Sequence, residues 1–193
     1  MTGEPAPQRH GDARAELRLD SGLSADAFKR AFRSHPSGVA VVSADAGDGP
    51  VAFTATSVFS VSAEPALLVF SIADAVSAAG SVTRAETVVV HLLGARDLDL
   101  ARLCATSGVD RFADPASWSR LVTGEPVFAG VDNWIRGRVI DTLRAGTSTV
   151  VVVHALQAGR ASTFETAPSL DAEAPLVYHN RTWHRLGEAS RMN

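Results

Sequence analysis

Cysteine is nearly absent, with Cys104 the single one in the chain. No internal disulfide or cysteine-based zinc site can form, and within the apolar run LARLCA this residue reads as a small buried hydrophobe rather than a nucleophile. Lysine is as scarce: Lys29 stands alone among 18 basic residues, and the net charge of −3 offers no basic footprint for nucleic acid. No nucleic-acid role is expected. Nowhere do the roughly 18 uncharged apolar residues of a membrane helix run together, and the opening MTGEPAPQRHGDARAELRLD lacks the apolar core of a signal peptide. A cytoplasmic protein with no membrane association is the expectation. The motifs G-x-G-x-x-G, the P-loop and G-x-S-x-G are also missing, so any nicotinamide must bind without a Rossmann fold. His35 and Ser37 in HPSG are adjacent in sequence, which makes no triad, and the acidic residues fall in loops and on helix faces rather than as a facing pair. His179 and His184 sit five apart without a carboxylate or cysteine companion, so no metal site is assigned. No side chain is assigned a catalytic role.

What is present suits one soluble globular domain. The 193 residues are 46% hydrophobic and 20% charged, and a chain of that length buries roughly 70% of its unfolded surface. Residues 1–20 mix Pro, Gly, Gln and charges without periodicity and read as a mobile arm, followed by a domain over 21–187 and a polar tail over 188–193. Ser24 is placed to cap a helix running to 33 that Pro36 stops. Strands are expected for VAVVSA, for ALLVFSI, for TVVVHLLG at 87–94, after Trp134 and for TSTVVVVHALQA, with DAGDGP at 45–50 a hairpin loop. Helices are expected over 75–84 and 95–106, and a short one around Trp118. Residues 163–174 read as a polar loop, and 174–186 as a closing hairpin. His154 is read as structural or exposed at a sheet edge.

The stretch 51–72, VAFTATSVFSVSAEPALLVFSI, organises the rest. Read as one extended ribbon to Ala63, it puts Thr54, Thr56, Val58, Ser60 and Ser62 on one face and Phe53, Ala55, Phe59 and Val61 on the other. Exposed strand edges ordinarily carry long charged side chains, and none occurs between Val51 and Ala63. Small hydroxyls in an uncharged run either reflect β propensity alone or form a surface for something flat and polar, because they donate and accept hydrogen bonds without filling space.

FTATSVFSVSAEPALLVFSI closely resembles the flavin-binding signature of the flavin reductase family. Its members are NAD(P)H:flavin oxidoreductases built on an FMN-binding split barrel, and they supply reduced flavin to two-component monooxygenases. The resemblance spans about residues 24–186 and also rests on HLLG at 91–94, Asp110-Arg111-Phe112, GEPVFAGVDNWIRGRVIDTL and PLVY at 175–178. It implies a mainly β fold with flanking helices, an antiparallel split β-barrel of six or seven strands, and a homodimer with flavin at the subunit interface. It further implies hydride transfer from NADH or NADPH to FMN or FAD, with reduced flavin passed to a partner monooxygenase. By the same resemblance the cofactor-binding residues are Thr54, Ala55, Thr56, Ser57, Ser60 and Ser62 along the ring, ribityl chain and phosphate. Ser77 assists at the phosphate, where a helix N-terminus would help. His91, Leu92 and Phe112 flank the flavin, and Arg111 and Ser148 lie in the flavin or nicotinamide vicinity.

Several positions leave two readings open. His91, between aliphatic residues, is a satisfied core histidine or a donor to a flavin carbonyl. Arg111 is a phosphate partner or half of a surface salt bridge with Asp110 or Asp114. Many relatives carry a basic residue near Ser77, and this chain does not. The family commonly begins its last long strand with Gly-Asp-His, where this chain has Gly146, Thr147 and Ser148. Hydride transfer needs the reacting atoms held about 3 to 3.5 Å apart and no obligatory protein acid, so the loss is expected to affect positioning or nicotinamide preference rather than abolish the chemistry. The change also keeps two other classes in view: a non-catalytic flavin-binding or assembly member of the fold, and a flavoenzyme acting on its own substrate.

Overall fold

β-Branched residues lose little freedom on a pleated surface, and the valine-rich segments of this chain all become strands. The computed structural model describes residues 22–159 and 174–192. The expected arm at 1–20, most of the loop at 163–174 and Asn193 lie outside the described residues. The chain divides into two units, residues 1–32 and 33–193. In the first, helix α1 (Ala25–Arg33) begins where Ser24 accepts the Ala27 N–H at 3.2 Å, and Phe28 packs on Phe32 with centroids 4.7 Å apart.

The second unit carries β1 (Ser37–Gly38), β2 (Ala40–Asp45), β3 (Pro50–Ala55), β4 (Phe59–Ala63), β5 (Ala66–Ala73), α2 (Ala79–Arg84), β6 (Thr87–Leu92), a 3-10 turn (Ala95–Asp97) and α3 (Leu98–Ala105). It continues with β7 (Trp118–Arg120), β8 (Pro126–Phe128), β9 (Trp134–Ala145), β10 (Ser148–Gly159), β11 (Leu176–His179) and β12 (Thr182–Arg185). Seven strands form one antiparallel sheet in the order β3-β2-β6-β9-β10-β5-β4; β1-β11-β12 and β7-β8 form two small sheets. The outermost strands, β3 and β4, are consecutive in the chain. Residues 56–58 alone join them, so the two edges of the sheet lie no more than about 14 Å apart at that point. The sheet must curl to allow it.

Alternation along the strands divides the interior in two. Val42, Phe53, Phe70, Ile72, Val82, Val90 and Val151 pack in one cluster, while Val39, Val41, Leu93, Cys104, Phe128 and Leu176 pack in another. The paired long strands β9 and β10 contain two points where only glycine fits. A Cβ on Gly137 would lie 2.8 Å from the His154 carbonyl oxygen, and one on Gly159 would lie 1.9 Å from the Trp134 ring. The β11–β12 hairpin turns through Asn180 and Arg181 at φ 49° and 62°, the left-handed pair that a two-residue hairpin turn needs.

Four expectations need correction. The ribbon 51–63 is broken at residues 56–58, because the Ser57 hydroxyl takes the Ser71 N–H at 2.9 Å and donates to the Ser71 carbonyl at 3.1 Å, turning the chain toward β5. The apolar face therefore holds for Phe53 and Ala55 but not for Phe59 and Val61, which are 61% and 54% exposed. The helix expected from 75 starts only at Ala79, residues 73–78 being taken up by turns closed through Val76 N–H to Ala73 and Ala79 N–H to Val76. The segment around Trp118 is a strand rather than a helix, since a turn at Leu121–Gly124 folds it back on β8. Of the two readings of His154, structural or exposed at a sheet edge, the second falls, because it lies on β10 between β9 and β5. Among the described residues no helix is long and apolar enough to cross a membrane, and no group of three or more potential ligands could hold a metal ion.

Glu125 ties the small hairpin to the large sheet. It is 5% exposed and accepts from Arg136 Nε at 2.7 Å, from Thr87 at 2.5 Å and from Thr123. Burial pushes its carboxyl up, but the Thr123, Thr87 and Arg136 donors outweigh it and bring the pKa from 4.5 down to about 2. The stabilisation is complete above pH 4.5 and is lost as pH falls through about 2. Urea unfolding of Glu125→Ala is expected to show a loss of about 1–3 kcal/mol, because the half-buried Arg136 and the Thr87 and Thr123 hydroxyls lose their acceptor. Opening the exposed Arg144–Asp74 pair with Arg144→Ala should cost under about 1 kcal/mol.

Candidate functional site

The far end of β5 is where the sequence's polar residues come together. Ser57 is bonded to Ser71 on β5, and Ser148, at the start of β10, is in register with Ala73. The turn leading from Ala73 carries Asp74, whose N–H donates to the Thr147 carbonyl at 3.0 Å and whose carboxylate takes both Arg144 Nη atoms at 2.7 and 2.9 Å. Ser77 follows in the same turn, two residues before α2 begins, so it precedes the helix instead of lying in its first turn. Residues from three distant stretches thus share one strand end.

Ser77 also lines a cavity of about 200 Å³ with Pro50, Ala52, Asp110, Arg111 and Phe112. Arg111 is half-buried there and donates to three carbonyls at the end of α3: Thr106 at 2.8 Å, and Cys104 and Val109 at 3.4 Å each. It caps a helix C-terminus, which favours a cation, and forms neither of the salt bridges expected with Asp110 or Asp114. Three of its five N–H donors are engaged, leaving two for a ligand. Asp110 instead accepts the Phe112 N–H at 2.9 Å. A second cavity of about 230 Å³ is lined by Gly38, Ala40, Val58, Leu92, Gly94 and Asn133, among others. Leu92 and the link residue Val58 both line it.

The hydroxyl run divides by use. Thr54 donates to the Ala101 carbonyl of α3 at 2.6 Å, Ser57 holds Ser71, and Ser62 accepts the Glu64 N–H at 3.2 Å. Ala55 is buried in the core at 3% exposure. Thr56 and Ser60 are exposed.

A model of the flavin reductase like domain matches residues 32–187. The chain is 41% identical over 167 residues to an NADH:FMN oxidoreductase of Rhodococcus qingshengii, covering 86% of this chain and 84% of the relative. The chain belongs to the flavin reductase family. Its fold matches the crystal structure of a flavin reductase domain protein from Arthrobacter sp. FB24 with a TM-score of 0.75 at 28% identity, over 83% of this chain and 94% of that one. A longer relative, the reductase component of a flavin-dependent trigonelline monooxygenase of Acinetobacter baylyi, is 33% identical over 72% of this chain and 43% of its own length.

Within this family member, His91 does not stand where the resemblance implied. It is fully buried, its Nδ1 donates to the Val41 carbonyl at 3.1 Å, and its Nε2 accepts the Phe128 N–H at 3.1 Å. With both nitrogens engaged it has no proton to offer a flavin carbonyl, so the core reading is the one that fits. Burial lowers its pKa from 6.5 to about 4, against the backbone contacts that raise it. Cys104 is a buried hydrophobe as expected, its thiol pushed up to about 12 by burial despite Arg111 nearby. Two contributors escaped the sequence reading. Asn133, whose carbonyl takes the Leu92 N–H at 2.8 Å, carries no distinguishing pattern in the sequence, and the Asp74–Arg144 pair joins residues 70 apart with no local pattern to reveal it.

A histidine kept neutral by burial gives stability that is complete above pH 6.5 and is lost as pH falls through about 4. Unfolding free energy measured between pH 7.5 and 5, above the range of most carboxylates, is expected to fall toward acid with an uptake approaching one proton. His91→Asn should remove that component of the slope.

Proposed function

We propose that this protein reduces FMN, or FAD, with NADH or NADPH, and passes the reduced flavin to a partner flavin-dependent monooxygenase. One observation supports the reading beyond family membership: Ser57 and Ser148 reach the end of β5 at Ser71 and Ala73, and Ser77, in the turn that follows, lines the Arg111–Phe112 cavity. The residues suit a flavin. Thr56 and Ser60 keep exposed hydroxyls for a ribityl chain, Ser77 and the two remaining Arg111 donors suit a phosphate, and Phe112 and Leu92 supply apolar walls for a flat ring. Thr54 and Ser57, bonded to backbone, shape this surface from beneath. When bound, the flavin supplies the two-electron chemistry, taking a hydride from the nicotinamide at N5. The protein's part is to hold ring and nicotinamide in contact and to keep water from the junction.

The curled sheet, with β3 and β4 joined by three residues, is read as a split barrel. A homodimer is supported by two features. Phe59 and Val61 expose apolar surface on the open edge strand β4, with Leu143 exposed on β9. Each cavity, at about 200 and 230 Å³, is smaller than the roughly 300–1,000 Å³ of a complete small-molecule site, so a second copy would complete the walls. A cytoplasmic location follows from the reductant, whose reduced pool is maintained there. Thr147 and Ser148, in place of Asp and His, favour a second reading in which flavin is bound but not reduced.

NADH oxidation followed with and without added FMN separates the two. Turnover that saturates with FMN is expected; flavin binding by fluorescence quenching without turnover from either nicotinamide would favour the non-catalytic reading. Ser148→His is expected to raise turnover by restoring an imidazole at the strand start, and unchanged kinetics would count against a positioning role for that residue.

A further inference from the structure

His91 has no task in the proposed chemistry, yet it is a fully buried polar side chain between Val90 and Leu92. A buried imidazole is tolerated only when its nitrogens are satisfied, and here they join two different elements. Nδ1 holds the Val41 carbonyl of β2 and Nε2 holds the Phe128 N–H of β8. The ring contacts continue outward. His91 meets Phe128 edge-on with centroids 5.5 Å apart, and Phe128 lies stacked on Phe112 at 5.2 Å and 19°. Trp118 closes the group, its ring edge-on to Phe112 at 5.0 Å and its Nε1 donating to the Phe112 carbonyl at 3.0 Å. Phe112 is the residue that forms a wall of the cavity with Ser77 and Arg111.

We propose that His91 is a positioning residue: through the Phe128 N–H and ring it sets the place of the Phe112 ring at the wall of the flavin cavity. The inference rests on reading that cavity as part of the flavin site. Its two bonds are chemically separable. An asparagine amide overlays Nδ1 and can still donate to Val41, but is too short to reach Phe128; a glutamine carbonyl reaches the place of Nε2 and can still accept the Phe128 N–H. A merely structural role would treat the two replacements by their loss of stability alone. A positioning role distinguishes them by which bond survives.

The experiment measures FMN Kd by fluorescence quenching, and FMN KM and kcat by NADH oxidation. It uses the full chain with His91→Asn, His91→Gln, Phe128→Leu and the neighbouring core substitution Val90→Ala, each with its Tm. His91→Asn and Phe128→Leu are expected to raise FMN Kd and KM about tenfold, the scale of one lost hydrogen bond's worth of placement, with kcat within about twofold. His91→Gln should hold both constants near those of the natural chain, and Val90→Ala should leave them unchanged despite a comparable fall in Tm. Unaltered FMN constants in His91→Asn or Phe128→Leu would overturn the proposal, and so would an equal rise in Val90→Ala or in His91→Gln. If one variant does not fold, the other histidine variant and Phe128→Leu still decide. Failure of the natural chain itself to bind FMN would overturn the flavin reading, and this inference with it.

Discussion

Residues 56–58 must carry the chain from one edge of a seven-stranded sheet to the other, and the Ser57 hydroxyl fixes where they land. A hydroxyl that both donates to and accepts from the backbone of Ser71 acts as a substitute rung between two segments that are not paired as strands. Because the link is so short, the sheet has no choice but to curl. The start of β10 and the turn after β5 meet by direct pairing, with Ser148 in register with Ala73 and the Thr147 carbonyl accepting the Asp74 N–H. The 56–58 link adds Ser57 to the same strand end through its two bonds to Ser71.

Much of this was legible in the sequence, and what escaped has one kind of cause. Short apolar, valine-rich runs located β2, β5, β6 and β10, because burying a strand leaves a mark on every residue. The Asp45 loop was readable from its turn chemistry: Asp45 Oδ1 accepts from the Gly47 and Gly49 N–H groups at 2.8 and 3.2 Å. The break at Ser57 was not, since Thr56 and Val58 favour extended backbone and the three residues include neither Gly nor Pro. What interrupts them is a residue 14 positions away. The strand at Trp118 was misread for a similar reason: its local composition allows a helix, while its pairing is secured through Glu125 to Arg136 and Thr87 on the large sheet.

His91 shows the same limit at the site itself. A histidine within TVVVHLLG has two chemically sensible uses, and nothing in that string chooses between them. The choice is made by Phe128, 37 residues on, whose backbone N–H occupies the nitrogen that a ligand would need. Of the two uses, the structure shows the core one, with His91 buried and both ring nitrogens engaged.

The charge balance around the cavities bears on what a flavin reductase must do after the hydride has moved. A protein that hands its product on cannot bind it with every group at its disposal, because affinity and residence time rise together when the association rate varies little. Arg111 illustrates the compromise. Its guanidinium is held in place by carbonyls at the end of α3, so it needs no reorganisation to meet a phosphate, but three of its donors are already in use. Asp110 sits in the same cavity wall and subtracts from the positive potential. The hydroxyls of Thr56 and Ser60 add hydrogen bonds that water can replace at little cost. On the proposed reading of this surface, a flavin is met by shape and polarity without the dense cationic grip that would hold its phosphate, which fits a flavin that arrives oxidised and leaves reduced.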